Sequence, residues 1–200
     1  MSGKILVISG PSGCGKSSLI GEILKHESNI YFSISTTTRA IREGEQEGVN
    51  YHYISKAQFE KEIKEGAFLE WAEVHGNYYG TSLKPIYKAI DEGKLVILDI
   101  DVQGHAIVKE KFPRILTSLF LTTPSQKELE KRLRHRGTDS EEIIQTRLQN
   151  AKTEMARMYE YEYLLINDNF ETALTQLHAI VKAARLKPSG EEINTFIQNW

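Results

Sequence analysis

The sequence predicts an α/β protein in which a five-stranded parallel sheet carries helices on both faces and is interrupted by a small α+β lobe and a helical hairpin. Three observations carry this prediction. Short apolar runs recur along the chain with helical patterns between or after them, the order expected of parallel strands joined by crossover helices. Most of these runs are not cleanly alternating, which marks strands covered on both faces. Two stretches, 36–84 and 125–158, break the alternation with patterns of their own.

Taken in order, the strands are KILVIS (4–9), IYFSIS (30–35), KLVILDI (94–100), ILTSLFL (115–121) and YEYLLIN (161–167). A helix over 15–26 carries Leu19, Ile20, Ile23 and Leu24 on one face, another runs from Pro85 to a glycine stop at Gly93, and 170–184 repeats Phe170, Leu174, Leu177, Val181 and Ala184. The stretch 36–84 contains a short helix capped by Ser55-x-x-Gln58 and ended by Gly66, with strand-like pieces at 50–54 and 68–74. The stretch 125–158 reads as two helices: Ser125-x-x-Glu128 caps the first, Gly137 stops it, and Asp139-x-x-Glu142 caps the second. The core is therefore expected from 1–35, 85–124 and 159–200. The tail ends in an amphipathic helix with Ile193, Phe196, Ile197 and Trp200 on one side.

Composition bounds the function. The chain has 200 residues, 40% hydrophobic and 26% charged, with a formal net charge of −2, which argues against a general nucleic-acid binder, so any anion site is local. A single cysteine, Cys14, forms no internal disulfide, and neither a membrane-spanning run nor a signal stretch is visible, so a reducing cytoplasmic setting is expected, with no membrane or obligate protein partner.

The most informative stretch is Gly10-Pro11-Ser12-Gly13-Cys14-Gly15-Lys16-Ser17, followed by Ser18. It fits G-x-x-x-x-G-K-[ST] between a strand and a helix, a P-loop in which backbone N–H groups surround phosphates, the lysine reaches the β and γ oxygens, and the hydroxyl ligates Mg²⁺. Cys14 is expected to contribute its backbone amide and not a nucleophile. A second acidic element, Asp99 and Asp101, emerges at the carboxyl end of the third strand, the ligand edge of such sheets. An aspartate there helps hold Mg²⁺ in phosphate-loop proteins. Which of the two faces the metal stays open; Asp99 is paired with Ser17 for that role. The histidines are scattered without metal-ligand spacing.

The segments SISTTTRAIREGEQEGVNYHYIS, FLEWAEVHGNYYGTS, LDIDVQG and RLRHRGTDSEEIIQTRLQNAKTEM resemble the guanylate kinase family in order and spacing, from Lys4 to about Arg185. The resemblance implies a nucleoside monophosphate kinase with a GMP-binding lobe at 36–84 and a lid at 125–158. Its implied reaction is Mg²⁺-dependent, in-line transfer from ATP to GMP or dGMP. Arg39, Arg42 and Tyr51 look like the clamp on the GMP phosphate; isolated surface arginines would be mere solvated charges, and it is the context TTR-x-x-R-x-GE that gives them this role. Ile41 stands where the family often has proline. Ser35, Glu70 and Thr81 look like guanine contacts, Gly80 belongs to the same GMP site, Tyr79 adds a hydroxyl near the phosphate, and Asp101 approaches the amino edge. Arg132, Arg136 and Arg147 look like lid arginines over the triphosphate, and Asn167 resembles a contact near adenine. Three rivals remain: a kinase for another phosphate acceptor, a catalytically silent protein-binding module of the same family, and a phosphate-loop GTPase. The intact Gly15-Lys16-Ser17 counts against the second, and the lack of an N-K-x-D-like signature against the third.

Overall fold

The structure, a computed structural model, describes residues 3–74, 76–135, 137 and 139–200, with Val74 described by its backbone alone. Its central sheet runs in the order β2-β7-β1-β8-β9, all strands parallel. These are β1 (Lys4–Ser9), β2 (Ile30–Phe32), β7 (Leu95–Asp99), β8 (Leu116–Thr122) and β9 (Tyr163–Ile166), the five strands expected. Within β1, Leu6 and Ile8 face one core with α1 (Lys16–His26) and α7 (Phe170–Leu186). Ile5 and Val7 face the other, with α3 (Leu83–Asp91) and α4 (Val102–Lys111). Both faces are thus dry, and this is why the strands read as unbroken apolar runs.

The lobe is a second sheet, ordered β4-β3-β6-β5: β3 (Thr36–Thr37), β4 (His52–Tyr53), β5 (Phe68–Val74) and β6 (Asn77–Ser82), with α2 (Lys56–Lys64) packed on it. Ser55 caps α2 as expected, accepting from Gln58 N–H. Among the elements not anticipated, two shape the site. The helix α4 buries Val102, Gly104, His105 and Val108, a face without an apolar stripe. The strand β6 is held by pairing on both sides, with β3 and β5.

The hairpin is α5 (Gln126–His135) and α6 (Glu141–Met155). Ser125 caps the first helix; the second is capped by Ser140 and not by Asp139, because the Ser140 hydroxyl is the group that accepts from Ile143 N–H. Leu129, Leu133, Ile144, Leu148 and Ala151 join the core beneath α1. The tail helix α8 (Gly190–Gln198) forms, tied down by Lys4, which donates to Glu192 at 2.6 Å, while Phe196, Ile197 and Trp200 face solvent. No helix among the described residues is long and apolar enough to cross a membrane.

Candidate active site

The turn from β1 into α1 is possible only with glycine at its tightest points. Gly10 has φ +146°, and a Cβ there would stand 1.9 Å from the Leu121 carbonyl oxygen. Gly15 has φ +102°, and its Cβ would stand 2.3 Å from Asn167 Nδ2. The first ladder bond of α1 runs from Leu19 N–H to Gly15 O, so the N–H groups of Lys16, Ser17 and Ser18 precede it. No side chain caps this end and no acidic residue occupies the first turn, leaving its positive end for an anion.

Beside it lies a cleft of about 350 Å³ lined by Gly10, Ser12, Gly13, Gly15, Lys16, Ser17, Asp99, Ile100, Asp101 and Glu154. Lys16 Nζ donates to Gly10 O at 2.6 Å and to Pro11 O at 3.4 Å, so the loop's own carbonyls hold the ammonium at the cleft. Asp99 is half-buried, and burial raises its pKa against the pull of Lys16. Asp99 and Ser17 are hard oxygen donors of the kind Mg²⁺ takes, and both line the cleft, so the pair fits an ion arriving with nucleotide phosphates. Among the described residues, no three His, Cys, Asp or Glu side chains are grouped to hold a metal by themselves.

Two groups expected to meet the nucleotide have partners within the chain. The Cys14 amide closes a tight turn on Pro11 O at 3.2 Å and so is already engaged. The Cys14 thiol is buried, which pushes its pKa up. Asn167 is 4% exposed and its Nδ2 donates to Cys14 O at 2.8 Å, in the space that Gly15 leaves by lacking a side chain. It therefore supports the loop from beneath.

In the lobe, register brings the base-reading candidates together. Glu70 lies opposite Thr81, and Thr36 opposite Gly80, so continuing the register sets Ser35 against Thr81. Thr81 Oγ1 donates to Glu70 Oε1 at 2.5 Å. Burial raises the Glu70 pKa, Thr81 partly offsets this, and the nearby charge of Asp101 adds to it. Gly80 is buried where a Cβ would come within 3.0 Å of Phe59, Phe68 and Glu70 O. Asp101 caps α4, its Oδ1 accepting from Gln103 and Gly104 N–H, and it also lines the phosphate cleft. It bridges the two halves of the site.

The expected phosphate clamp is assembled around an anion of the chain itself. Arg39 Nη2 donates to both oxygens of Glu45, at 2.8 and 3.0 Å, and its guanidinium stands 5.5 Å from the Tyr51 ring centroid. Tyr51 and Tyr79 meet edge-on at 5.9 Å. Glu45 also accepts from Arg42 N–H and the Tyr53 hydroxyl, and Arg39 holds its pKa down to about 2. The Arg42 side chain is exposed. Sequence reasoning missed Glu45, which reaches Arg39 only because the chain bends through Gly44 at φ +83°.

From the hairpin, Arg147 donates to Ser12 Oγ of the phosphate loop and to Asp139 at 3.3 Å. Arg132 is engaged by Glu128 one turn earlier, at 2.9 Å. Arg136 lies outside the described residues. Glu154 was also missed; burial raises its pKa, opposed by Lys16. It lies seven residues after Arg147 on α6, and that spacing on one helical face was the available signal.

Known proteins resemble this chain along most of its length. The profile of the family described as guanylate kinase matches residues 2–184. A guanylate kinase of Sulfurimonas denitrificans is 52% identical over 199 residues, covering 100% of this chain and 97% of its own. One from Wolinella succinogenes is 48% identical, covering 99% and 92%. Among solved structures, guanylate kinase from Anaplasma phagocytophilum is similar with a TM-score of 0.72 at 32% identity, covering 93% of this chain and 88% of that one.

Proposed function

The chain belongs to the guanylate kinase family and is a nucleoside monophosphate kinase, and from that premise we propose that it moves the γ-phosphoryl group of ATP directly onto GMP or dGMP. The observation that carries the choice of acceptor is the half-buried Glu70, bonded by Thr81 and linked through Asp101 to the cleft of Lys16. Guanine presents adjacent donors at N1 and N2 that a carboxylate accepts, with Ser35 and Thr81 offering hydroxyls to O6. Adenine has neither donor at those positions.

Residues 36–84 act as the acceptor lobe, 125–158 as the lid, and the remainder as the core. Lys16 leaves Gly10 O for the β and γ oxygens, while the N–H groups at the start of α1 bind the phosphates. When bound, Mg²⁺ held by Ser17 and Asp99 supplies positive charge that neutralises the phosphate oxygens. Arg39, Arg42, Tyr51 and Tyr79 take the GMP phosphate, which displaces Glu45 from Arg39. Arg132, Arg136 and Arg147 lower the barrier by meeting charge that spreads in the transition state, a kind of contribution worth about 10²–10³ in rate per well-placed donor. Transfer is in line, with no phosphoenzyme; the buried Cys14 thiol, its pKa raised, is a poor nucleophile. ATP and GMP are its substrates, and the cytoplasm is the proposed compartment, a reading supported by its lone, free and buried thiol.

A coupled assay offering ATP and Mg²⁺ with each nucleoside monophosphate in turn tests this. GMP turnover should exceed that of AMP, CMP and dTMP by orders of magnitude; equal rates with AMP would defeat the assignment.

A further inference from the structure

One buried polar cluster has no part in the chemistry above. His105 on α4 is 0% exposed, and neither ring nitrogen has a hydrogen-bond partner among the described residues. Its ring stacks on Tyr161 with centroids 3.9 Å apart and planes at 20°. The Tyr161 hydroxyl is also buried and unpartnered, and its ring meets Phe120 edge-on at 5.2 Å. Buried polar atoms are nearly always satisfied, so three bare ones in a single stack call for a physical reason.

The neighbours supply one. The Tyr161 hydroxyl is directed at Ser9 without closing a full hydrogen bond and lies within the field of Asp101; burial pushes its pKa up to about 12 against the pull of Ser9. Ser9 Oγ donates to the Asp101 carbonyl oxygen at 3.5 Å, and His105 N–H donates to that same oxygen at 3.0 Å. Ser9 is the residue before Gly10, and Asp101 lines the cleft. The cluster therefore sits behind the starts of both the phosphate loop and α4. Burial, with Lys109 on α4 and Arg157 beside it, holds the His105 pKa down to about 4 against Glu160 and Glu162, so its ring is neutral, with one donor and one acceptor.

We propose that His105 and Tyr161 are positioning residues for phosphoryl transfer, sharing one buried water with Ser9 so that Asp101 and the first residue of the phosphate loop keep a fixed spacing. A neutral imidazole, a phenol and a hydroxyl together offer the two to four polar partners such a water takes. The pair acts through Ser9 and Asp101 and touches neither substrate.

The test uses His105→Phe and Tyr161→Phe, which keep the ring stack and remove the polar atoms, and His105→Gln, which keeps a donor and an acceptor. The kinetic arm rests on the GMP kinase reading; the crystallographic and thermal arms do not. Each Phe variant should lower kcat about tenfold with both KM values changed less than about twofold. The double variant should be no slower than either single one, because both act through one bridge. His105→Gln should restore most of the lost turnover, and a high-resolution crystal structure of the parent should show one water within reach of His105, Tyr161 and Ser9. The proposal is overturned by an unchanged kcat with a raised melting temperature in His105→Phe, by losses that multiply in the double variant, or by a crystal structure with no ordered water there. Failure of the parent to phosphorylate GMP would strike the functional reading alone, leaving the water and the melting temperatures to decide this one.

Discussion

Glu70→Gln removes one charge from the acceptor side while keeping the side chain's shape and an oxygen for Thr81. In the parent, the carboxylate accepts from Thr81 Oγ1 at 2.5 Å and has acceptor capacity left for guanine's N1–H and N2–H₂. The amide turns one acceptor into a donor that faces a donor. A hydrogen bond to a charged group contributes about 1.5–3 kcal/mol and a buried unpaired group costs about 1–3 kcal/mol, so the loss is at least about 2.5 kcal/mol. With about 1.4 kcal/mol per factor of ten, kcat/KM for GMP should fall on the order of 10²-fold or more. AMP, lacking both donors, should lose far less. Burial raises the parent carboxylate's pKa, so guanine reading requires pH above that raised value, and the acid limb of the GMP profile should sit higher than an ordinary carboxylate would place it. That limb should vanish in Glu70→Gln. Because a raised carboxylate pKa means that the folded state holds its proton more tightly than the unfolded chain, the ionised form costs stability at neutral pH, and the variant should melt higher there. Steady-state kinetics with GMP and AMP across pH decide the matter. Equal losses for the two acceptors would refute the reasoning and make Glu70 a structural prop of the lobe.

Three further outcomes are expected. Lys16→Met should cost several orders of magnitude in kcat with its circular dichroism unchanged, and retention of more than about a tenth of the activity would contradict its place on the phosphates. Asn167→Ala should slow turnover about 10-fold to 10²-fold with ATP and ITP alike, since it acts by holding Cys14 O; a loss confined to ATP would make it an adenine contact. Glu45, with its pKa depressed from 4.5 to about 2 by Arg39, stabilises its loop fully above pH 4.5 and loses that hold as pH falls toward 2. Amide exchange over residues 39–53 should therefore speed up through that window in the parent and be fast already at pH 7 in Glu45→Gln, which should also bind GMP more tightly by freeing Arg39.

The parts of the fold that follow one rule were legible in the sequence. Strands buried on both faces announce themselves as apolar runs, and Ser55 and Ser125 announced helix starts through their capping pattern. The helix α4 was not legible, because Gly104 and His105 occupy its buried face and erase the apolar stripe. Nor was β6, whose NYYGTS carries no apolar run and is held as a strand by the hydrogen bonds of two neighbours. In the site, the phosphate loop was legible because its backbone demands glycine at fixed spacing. Glu45 was not, since its role depends on a bend through Gly44. The hold of Asn167 on the loop was not legible, because only packing reveals that its amide is turned under Cys14 O.

The order of the central sheet also dictates when the protein can become itself. The strand β1 emerges first, yet both of its neighbours come late: Lys4 pairs with Leu95, and Ile5 with Leu116. During synthesis at about 5–20 residues per second, that leaves the apolar run KILVIS without its partners for roughly 5–20 s. All strands of the lobe sheet lie between β1 and β7 in the chain, so they are complete before the core can begin to close. The nascent chain thus carries all four strands of the lobe sheet together with an apolar N-terminal strand whose partners are still to come, and exposure of that strand is confined to this interval.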